Sequence, residues 1–175
     1  APGTPISDNS TNANNGDVFC ANSVAGKVGQ AFSFNGVSSY VSVPDSSSLR
    51  SNNQLTISAW IKFNAYPAAN KFEFIVEKNL AGSWVSYGLW VLSDGKLRFS
   101  VQNQASGAYP TWTTQSSLIT GQWYHISAIF KKLNNNYEDG NIYLDGSLTP
   151  TSFTANGYGS GFNIGYDSGS LNIGK

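Results

Sequence analysis

The chain has no methionine, a single cysteine, a single histidine and few charges: Lys, Arg, Asp and Glu together make 11% of its 175 residues. Cys20 has no second thiol in the chain to form a disulfide with. It sits between Phe19 and Ala21, and with no activating His or basic cluster nearby in sequence it is expected to pack as a small hydrophobe. One His and one Cys are too few for a zinc site. The formal net charge is +0, so no global field draws in nucleic acid or an anionic membrane, and Lys131-Lys132 is only a solvated pair. No stretch approaches the roughly 18 apolar residues of a membrane-spanning helix. No signal peptide is present; the small-residue start Ala1-Pro2-Gly3 fits either a signal-cleavage point or an engineered boundary.

What is present is aromatic and turn-rich. Aromatics make 14% of the residues and glycine occurs 18 times, which suits an all-β domain better than a helical one. Four runs alternate apolar with small or polar residues, as strands with one buried face do: Phe32–Val43, Leu55–Phe63, Gln122–Phe130 and Asn141–Gly146. In the second run Ile57, Ala59, Ile61 and Phe63 share one face, with Thr56, Ser58, Trp60 and Lys62 on the other. In the third, Tyr124, Ile126, Ala128 and Phe130 oppose Trp123, His125 and Ser127. A further strand is expected over Phe72–Lys78, and another beginning at Val18-Phe19. Asn35-Gly36 and Asp145-Gly146 mark turns.

Tyr87–Gln102 reads as a hairpin with two possible registers. A two-residue loop at Asp94-Gly95 sets Trp90 opposite Phe99. A three-residue loop, Ser93-Asp94-Gly95, sets Leu89 opposite Phe99 and puts Trp90 beside Arg98 on the outer face. One residue of slip inverts every side chain. The longer loop is favoured, because a type I turn followed by a left-handed glycine is common and it gathers Tyr87, Leu89, Val91, Leu97, Phe99 and Val101 on one side. Residues 103–121 are expected to be a long polar segment, and 149–175 a Gly-rich one with short runs at Phe162–Gly165 and Leu171–Gly174. With no linker and no repeat, residues 1–175 are expected to form a single domain, with 1–7 as a possible flexible lead.

The ordered set of runs resembles the bacterial laminin-G-like domains of the concanavalin-A-like lectin/glucanase superfamily. Asp8–Gly16 resembles that family's opening D-x-S-G-N-x-N-x-G segment, and Gly26–Gly36 its GK-x-G-x-ALxFDG run. The resemblance implies an all-β, two-sheet antiparallel jelly-roll sandwich. In the family the Leu-Asn-Ile-Gly segment is normally followed by a closing strand, which this chain, ending at Lys175, lacks. Neighbouring strands are therefore expected to expose an open edge. A truncated or proteolysed chain, a strand donated by a partner, and a different closure all account for that, and the first two are favoured.

Candidate chemistry divides three ways. Glu73 and Glu77 lie four apart and are the best acid/base pair, on the expectation that they share a face; the plainer reading is solvated strand carboxylates beside Lys71 and Lys78. His125 lies at a family position whose role is structural, as do Trp60 and Trp123, and no Gly-x-Ser-x-Gly elbow accompanies it. The oxygen-rich loop Asp8–Gly16 suits Ca²⁺, with Asp8 carried over from the family and Asn12 and Asn15 beside it; an Asx-turn loop without metal is the alternative. Trp84, Tyr109, Trp112, Tyr158 and Tyr166 fall in expected loops among amides and hydroxyls. Trp84 and Trp112 are the leading platforms for stacking a sugar ring, with Tyr109 next and Trp90 added by the three-residue loop.

The function expected is a non-catalytic carbohydrate-binding module of a secreted or surface bacterial protein, binding polysaccharide or glycan by aromatic stacking, and a neutral one given the net charge. The alternative is a Ca²⁺-dependent adhesion or protein-interaction domain, in which a partner uses the open edge or the Asp8 loop. A hydrolase or lyase is the least favoured.

Overall fold

Alternation along the strands sorts the side chains into an interior and two outer faces. The structure, a computed structural model, describes residues 3–51, 53–80, 85–103, 109–132, 138–154, 163–165 and 168–175. Among these, one antiparallel sheet has nine strands. In chain order they are β1 (Thr4–Ile6), β2 (Gly16–Phe19), β5 (Tyr40–Val43), β7 (Phe72–Asn79), β8 (Val85–Leu92), β9 (Leu97–Val101), β10 (Thr111–Thr114), β14 (Thr151–Thr154) and β15 (Leu171–Ile173). Across the sheet they run β1-β2-β5-β15-β7-β8-β9-β10-β14. A second sheet, in spatial order β13-β12-β11-β6, is built from β6 (Gln54–Ile61), β11 (Tyr124–Lys132), β12 (Glu138–Leu144) and β13 (Ser147–Thr149). A separate hairpin pairs β3 (Asn22–Ala25) with β4 (Gln30–Ser33). The only helical turn among the described residues is a 3₁₀ turn at Ser47–Leu49.

The core lies between the first two sheets. Leu89, Val91, Leu97, Phe99 and Val101 from one meet Ile57, Ile126, Ala128, Phe130 and Ile142 from the other, all buried. Burying each such side chain contributes roughly 1.5–3 kcal/mol relative to leaving it in water. A smaller cluster gathers Val18, Val41 and Val43 under Phe32, Phe34, Leu171 and Ile173. The faces expected for β6 and β11 are those observed: Ile57 and Ile126 point inward, and Ser58 and Ser127 meet on the outside, their hydroxyls 3.1 Å apart.

The β8–β9 hairpin adopts the three-residue loop. Leu89 pairs with Phe99 and Trp90 with Arg98. Gly95 has φ +80°, and the N–H of Leu92 donates to the Lys96 carbonyl at 2.9 Å, closing the loop around residues 93–95. The β12–β13 turn has positive φ at both Asp145 (49°) and Gly146 (81°), as a tight two-residue hairpin requires. Asn35-Gly36 instead opens a longer loop, in which the Asn35 side-chain oxygen accepts the N–H groups of Val37, Ser38 and Ser39.

Several expectations are corrected. Thr4–Ile6 is no loose lead: it pairs with Gly16–Val18 as an edge strand. Cys20 is exposed, at φ 52° in the turn leaving β2, so its environment is polar and not a packed core. Glu73 and Glu77 do not share a face. A bulge between Phe74 and Val76 inserts one extra residue, so Glu73 pairs with the inward Val91 while Glu77 pairs with Gly88 on the outside. The same bulge turns Lys78 inward. It is fully buried, and its ammonium lies 2.9 Å from Asp45 and donates to the Gly169 carbonyl. Asp45 also accepts from Arg50.

Open edges bear on the expected missing strand. Among the described residues β1 and β14, β13 and β6, and β3 and β4 end their sheets with no strand on the other side, and β6 is the longest of them.

Candidate functional site

The outer face of the nine-stranded sheet carries one continuous polar row. Register places Asp17, Ser42, Asn172, Glu77, Gly88, Ser100, Thr111 and Thr154 side by side across eight strands. Glu77 accepts from the Asn172 amide at 2.9 Å, and Ser100 donates to the Pro110 carbonyl at 2.8 Å. The middle of the row is buried, as Asn172 (1%) and Ser100 (2%) show, so these groups serve one another and the chain around them.

Beside the row stands an aromatic and cationic patch. Trp90 lies edge-on to Phe74 (5.4 Å between ring centres, 63°) and 6.1 Å from Phe72, with Arg98 as its cross-strand partner. Gly88 is needed here: a Cβ would meet Trp90 at 3.2 Å and Phe74 at 3.3 Å, since both rings lean over it. At the hairpin end of the patch opens a cleft of about 390 Å³, lined by Asn70, Lys71, Phe72, Ser93, Asp94 and Arg98 together with Leu92. Arg98 is oriented by its Nε, which donates to the Thr113 hydroxyl at 3.1 Å. Asp94 faces Lys96, whose ammonium is 3.0 Å away. Burial pushes the Asp94 carboxyl up, but the hydrogen bonds and charge of Lys96 outweigh it and hold the group below the usual carboxylate range.

Chemically the cleft offers an aromatic wall, donors and one carboxylate. A glycosidase pair stands about 5–9.5 Å apart. Glu77 and Asp17 lie in the same row but three strands apart, about 14 Å at the usual strand spacing. Glu73 is on the opposite face. Among the described residues the outer face therefore holds no carboxylate couple at catalytic separation.

The expected stacking platforms separate. Trp112 is not in a loop: it is the second residue of β10 and is 4% exposed. Its Thr-Trp-Thr-Thr setting is a short strand, and its ring packs inward against Phe99, Phe130 and Phe153. Gly140 makes room for it, since a Cβ there would come within 2.3 Å of the indole. Both faces of Trp112 are thus taken, and it cannot stack a ligand. Trp90 faces outward as the register requires, but Phe72 and Phe74 cover it, leaving it 4% exposed. It backs the cleft wall and does not form it. Tyr109 is exposed at 52%, at the end of β10 away from the cleft. Trp84, Tyr158 and Tyr166 lie outside the described residues. The cleft residues Phe72 and Arg98 were not among the expected site residues. The signal for them was the Trp90–Arg98 pairing that the three-residue loop imposes.

The Asp8 loop is closed on itself. Asp8 takes the N–H and hydroxyl of Ser10 and the N–H of Asn14, and the Asn15 side-chain oxygen accepts the Asp8 N–H at 2.8 Å. These bonds, the Ser10 hydroxyl's first, hold the Asp8 carboxyl below its ordinary range. A Ca²⁺ ion needs six to eight oxygens. Of the acceptors expected for it, those of Asp8 and Asn15 are already used by loop donors, and among the described residues no three His, Cys, Asp or Glu side chains gather as a metal site. The arrangement does not fit a cation and is that of the Asx-turn alternative.

A second exposed aromatic group lies on the outer face of the four-stranded sheet. Trp60, expected to be structural, lies on the outer face that the alternation of β6 assigns it, is 41% exposed and tilts against His125 at 5.2 Å. Ser58 bridges His125 Nε2 and Ser127, 3.1 Å from each. The ammonium of Lys27 lies 5.6 Å from the Trp60 ring centre and that of Lys62 5.1 Å from Trp123.

Comparison with known proteins adds three findings. One similar solved structure is a native heptameric SAP-like pentraxin from Limulus polyphemus, with 21% identity and a TM-score of 0.43. The match covers 77% of this chain and 62% of the pentraxin chain, less than two thirds of it. No curated protein matches. The family model Laminin_G_3, described as the concanavalin A-like lectin/glucanases superfamily, matches residues 35–175, and the chain, a lectin-like β-sandwich with antiparallel sheets, belongs to that family.

Proposed function

We propose that this chain is a non-catalytic carbohydrate-binding module of a secreted or surface protein, and that it seats a neutral glycan in the cleft beside the β8–β9 hairpin. The observation that carries the reading is the convergence of Phe72, Arg98, Asp94 and Asn70 on one cleft at the outer sheet face. A pyranose offers an apolar C–H face and a rim of hydroxyls. Phe72 meets the first, and is held in place by Phe74, edge-on at 5.4 Å, and by Trp90. A ring fixed in advance loses little entropy when a ligand settles on it. Asp94 accepts from sugar hydroxyls, while Arg98 and Asn70 donate to them. Among the described residues no carboxylate pair stands at catalytic separation on this face, which favours binding without turnover. Phe72→Ala and Arg98→Ala should each weaken binding of a neutral oligosaccharide, first identified on a glycan array, by about tenfold in calorimetry, with circular dichroism unchanged. Undiminished affinity in both variants, or an array on which no neutral glycan is retained, would overturn the assignment.

The open edge of β6 favours a second reading, that an added strand from this protein or a partner completes the sheet there. Eight residues of β6 end their sheet with one side unpaired among the described strands, and such an edge is a template for another strand. In the isolated chain, amides of Gln54–Ile61 that point away from β11 should exchange rapidly with deuterium while their neighbours stay protected. Uniform protection across β6 in a monomer would contradict the reading.

A further inference from the structure

We infer that the outer face of the four-stranded sheet is a second, independent binding surface, for an acidic saccharide bearing carboxylate or sulfate groups. The core does not require this face to be aromatic. Ile57, Ala59 and Ile61 already supply the inward side of β6, yet Trp60 points out with 41% of its surface in water. A single exposed ring is ordinary, but a patch of large side chains rimmed by polar groups marks a contact surface.

Cation placement decides the ligand class. Trp60 pairs with His125 across the strands, and just beyond the strand ends Lys62 reaches over Trp123. Lys27, from the turn between β3 and β4, approaches the same face from a separate hairpin. Two indoles and two ammoniums from three segments thus share one patch. Among the described residues neither Lys27 nor Lys62 has a carboxylate within ion-pair distance. Asp145 accepts the backbone N–H of His125 at 2.9 Å, with its own N–H on the His125 carbonyl. It is committed to the β12–β13 turn.

Both ammoniums sit near the outer limit of about 6 Å for attraction to a ring, so each is weakly held and can turn to an anion. A sugar ring laid against Trp60 would bring its carboxylate or sulfate between these cations. The hydroxyls of Ser58 and Ser127, already hydrogen-bonded to each other and, through Ser58, to His125, would meet its hydroxyl groups. A neutral glycan can take hydrogen bonds from the lysines but no charge pairing, so the patch discriminates by charge although the whole chain is neutral.

Calorimetry with a galacturonate trisaccharide and with a sulfated heparin hexasaccharide tests this, and shows which anion is preferred. At least one should bind more tightly than an uncharged oligosaccharide of equal length, and binding should fall as sodium chloride rises from 50 to 300 mM. Trp60→Ala should weaken it at least about fivefold. The double variant Lys27→Gln/Lys62→Gln, confined to exposed ends of side chains, should nearly abolish it and flatten its salt dependence while leaving neutral-glycan binding in the cleft intact. Should Trp60→Ala fail to fold, the lysine variant alone decides. Equal binding of charged and uncharged probes, or acidic-saccharide binding that survives the lysine substitutions, overturns the inference.

Discussion

At the residue scale, the structure turns on side chains whose neighbours sequence could not name. Trp112 sits among Thr, Ser and Gln and reads as a loop residue, yet Gly140, far away in the chain, vacates the space that takes its indole. No local signal distinguishes an indole with such a pocket from one in water. Cys20 fails the other way, since apolar flanks suggested burial and a left-handed turn exposes it. Asp45 was part of an unremarked Ser/Asn loop and proves to be the anion that Lys78 needs in the interior. Hydrogen bonds from Arg50 lower its carboxyl, burial opposes them, and Lys78 adds to the lowering, for a net value of about 2. The sign follows directly. An unfolded Asp titrates near 3.9, so the stabilisation is fully present above about pH 4 and is lost as pH falls towards 2. Asp45→Asn should therefore cost ~2 kcal/mol at pH 7 and flatten the decline of stability between pH 4 and 2. Urea unfolding across that range checks both, and an acid limb of unaltered slope would remove Asp45 from the account.

At the element scale, strands with clean alternation were legible and interrupted ones were not. β6, β11 and the β8–β9 hairpin follow from spacing two, because one face of each is buried against the opposite sheet. β7 was legible as a strand but not in its facing, because the bulge at Ile75 changes the phase halfway along and separates Glu73 from Glu77. β1 and β14 escaped notice because both are short, polar edge strands with no buried stripe to announce them. The hairpin loop is the element most exposed to a single substitution. Gly95 has φ +80°, its carbonyl accepts the Leu118 N–H at 2.9 Å, and a Cβ there would lie 2.8 Å from the Tyr66 ring. Gly95→Ala should lower stability by ~2 kcal/mol, or roughly 4–8 °C in Tm for a chain of this size. Since the loop also carries Asp94, the same variant should loosen the cleft. A Tm within 1 °C of the parent would show that the loop adapts and that its register is not pinned by this glycine.

At the scale of the whole molecule, the two-layer architecture and its family were readable from the order of four runs, but the cleft was not. A cleft made by Asn70, Phe72, Asp94 and Arg98 draws on two strands and two turns, and depends on which register the sheet selects. The Asp8 loop drew attention for its oxygens, and their partners turn out to be the loop's own N–H groups. Chelation followed by addition of Ca²⁺ should accordingly leave Tm unchanged, and a rise of several degrees with Ca²⁺ would mean that the loop rearranges around the ion.

The position of β15 reaches beyond the folded state. Leu171–Ile173 lies between β5 and β7, joining β1, β2 and β5 to the other strands of the sheet. A polypeptide emerging from the ribosome therefore carries both halves of that layer before it holds the segment that unites them. Residues 41–43 wait about 6–26 s for theirs at ordinary elongation rates. Until then the nine-stranded layer stays in two parts. Productive closure must come late and all at once, paced by contacts between distant stretches of the chain.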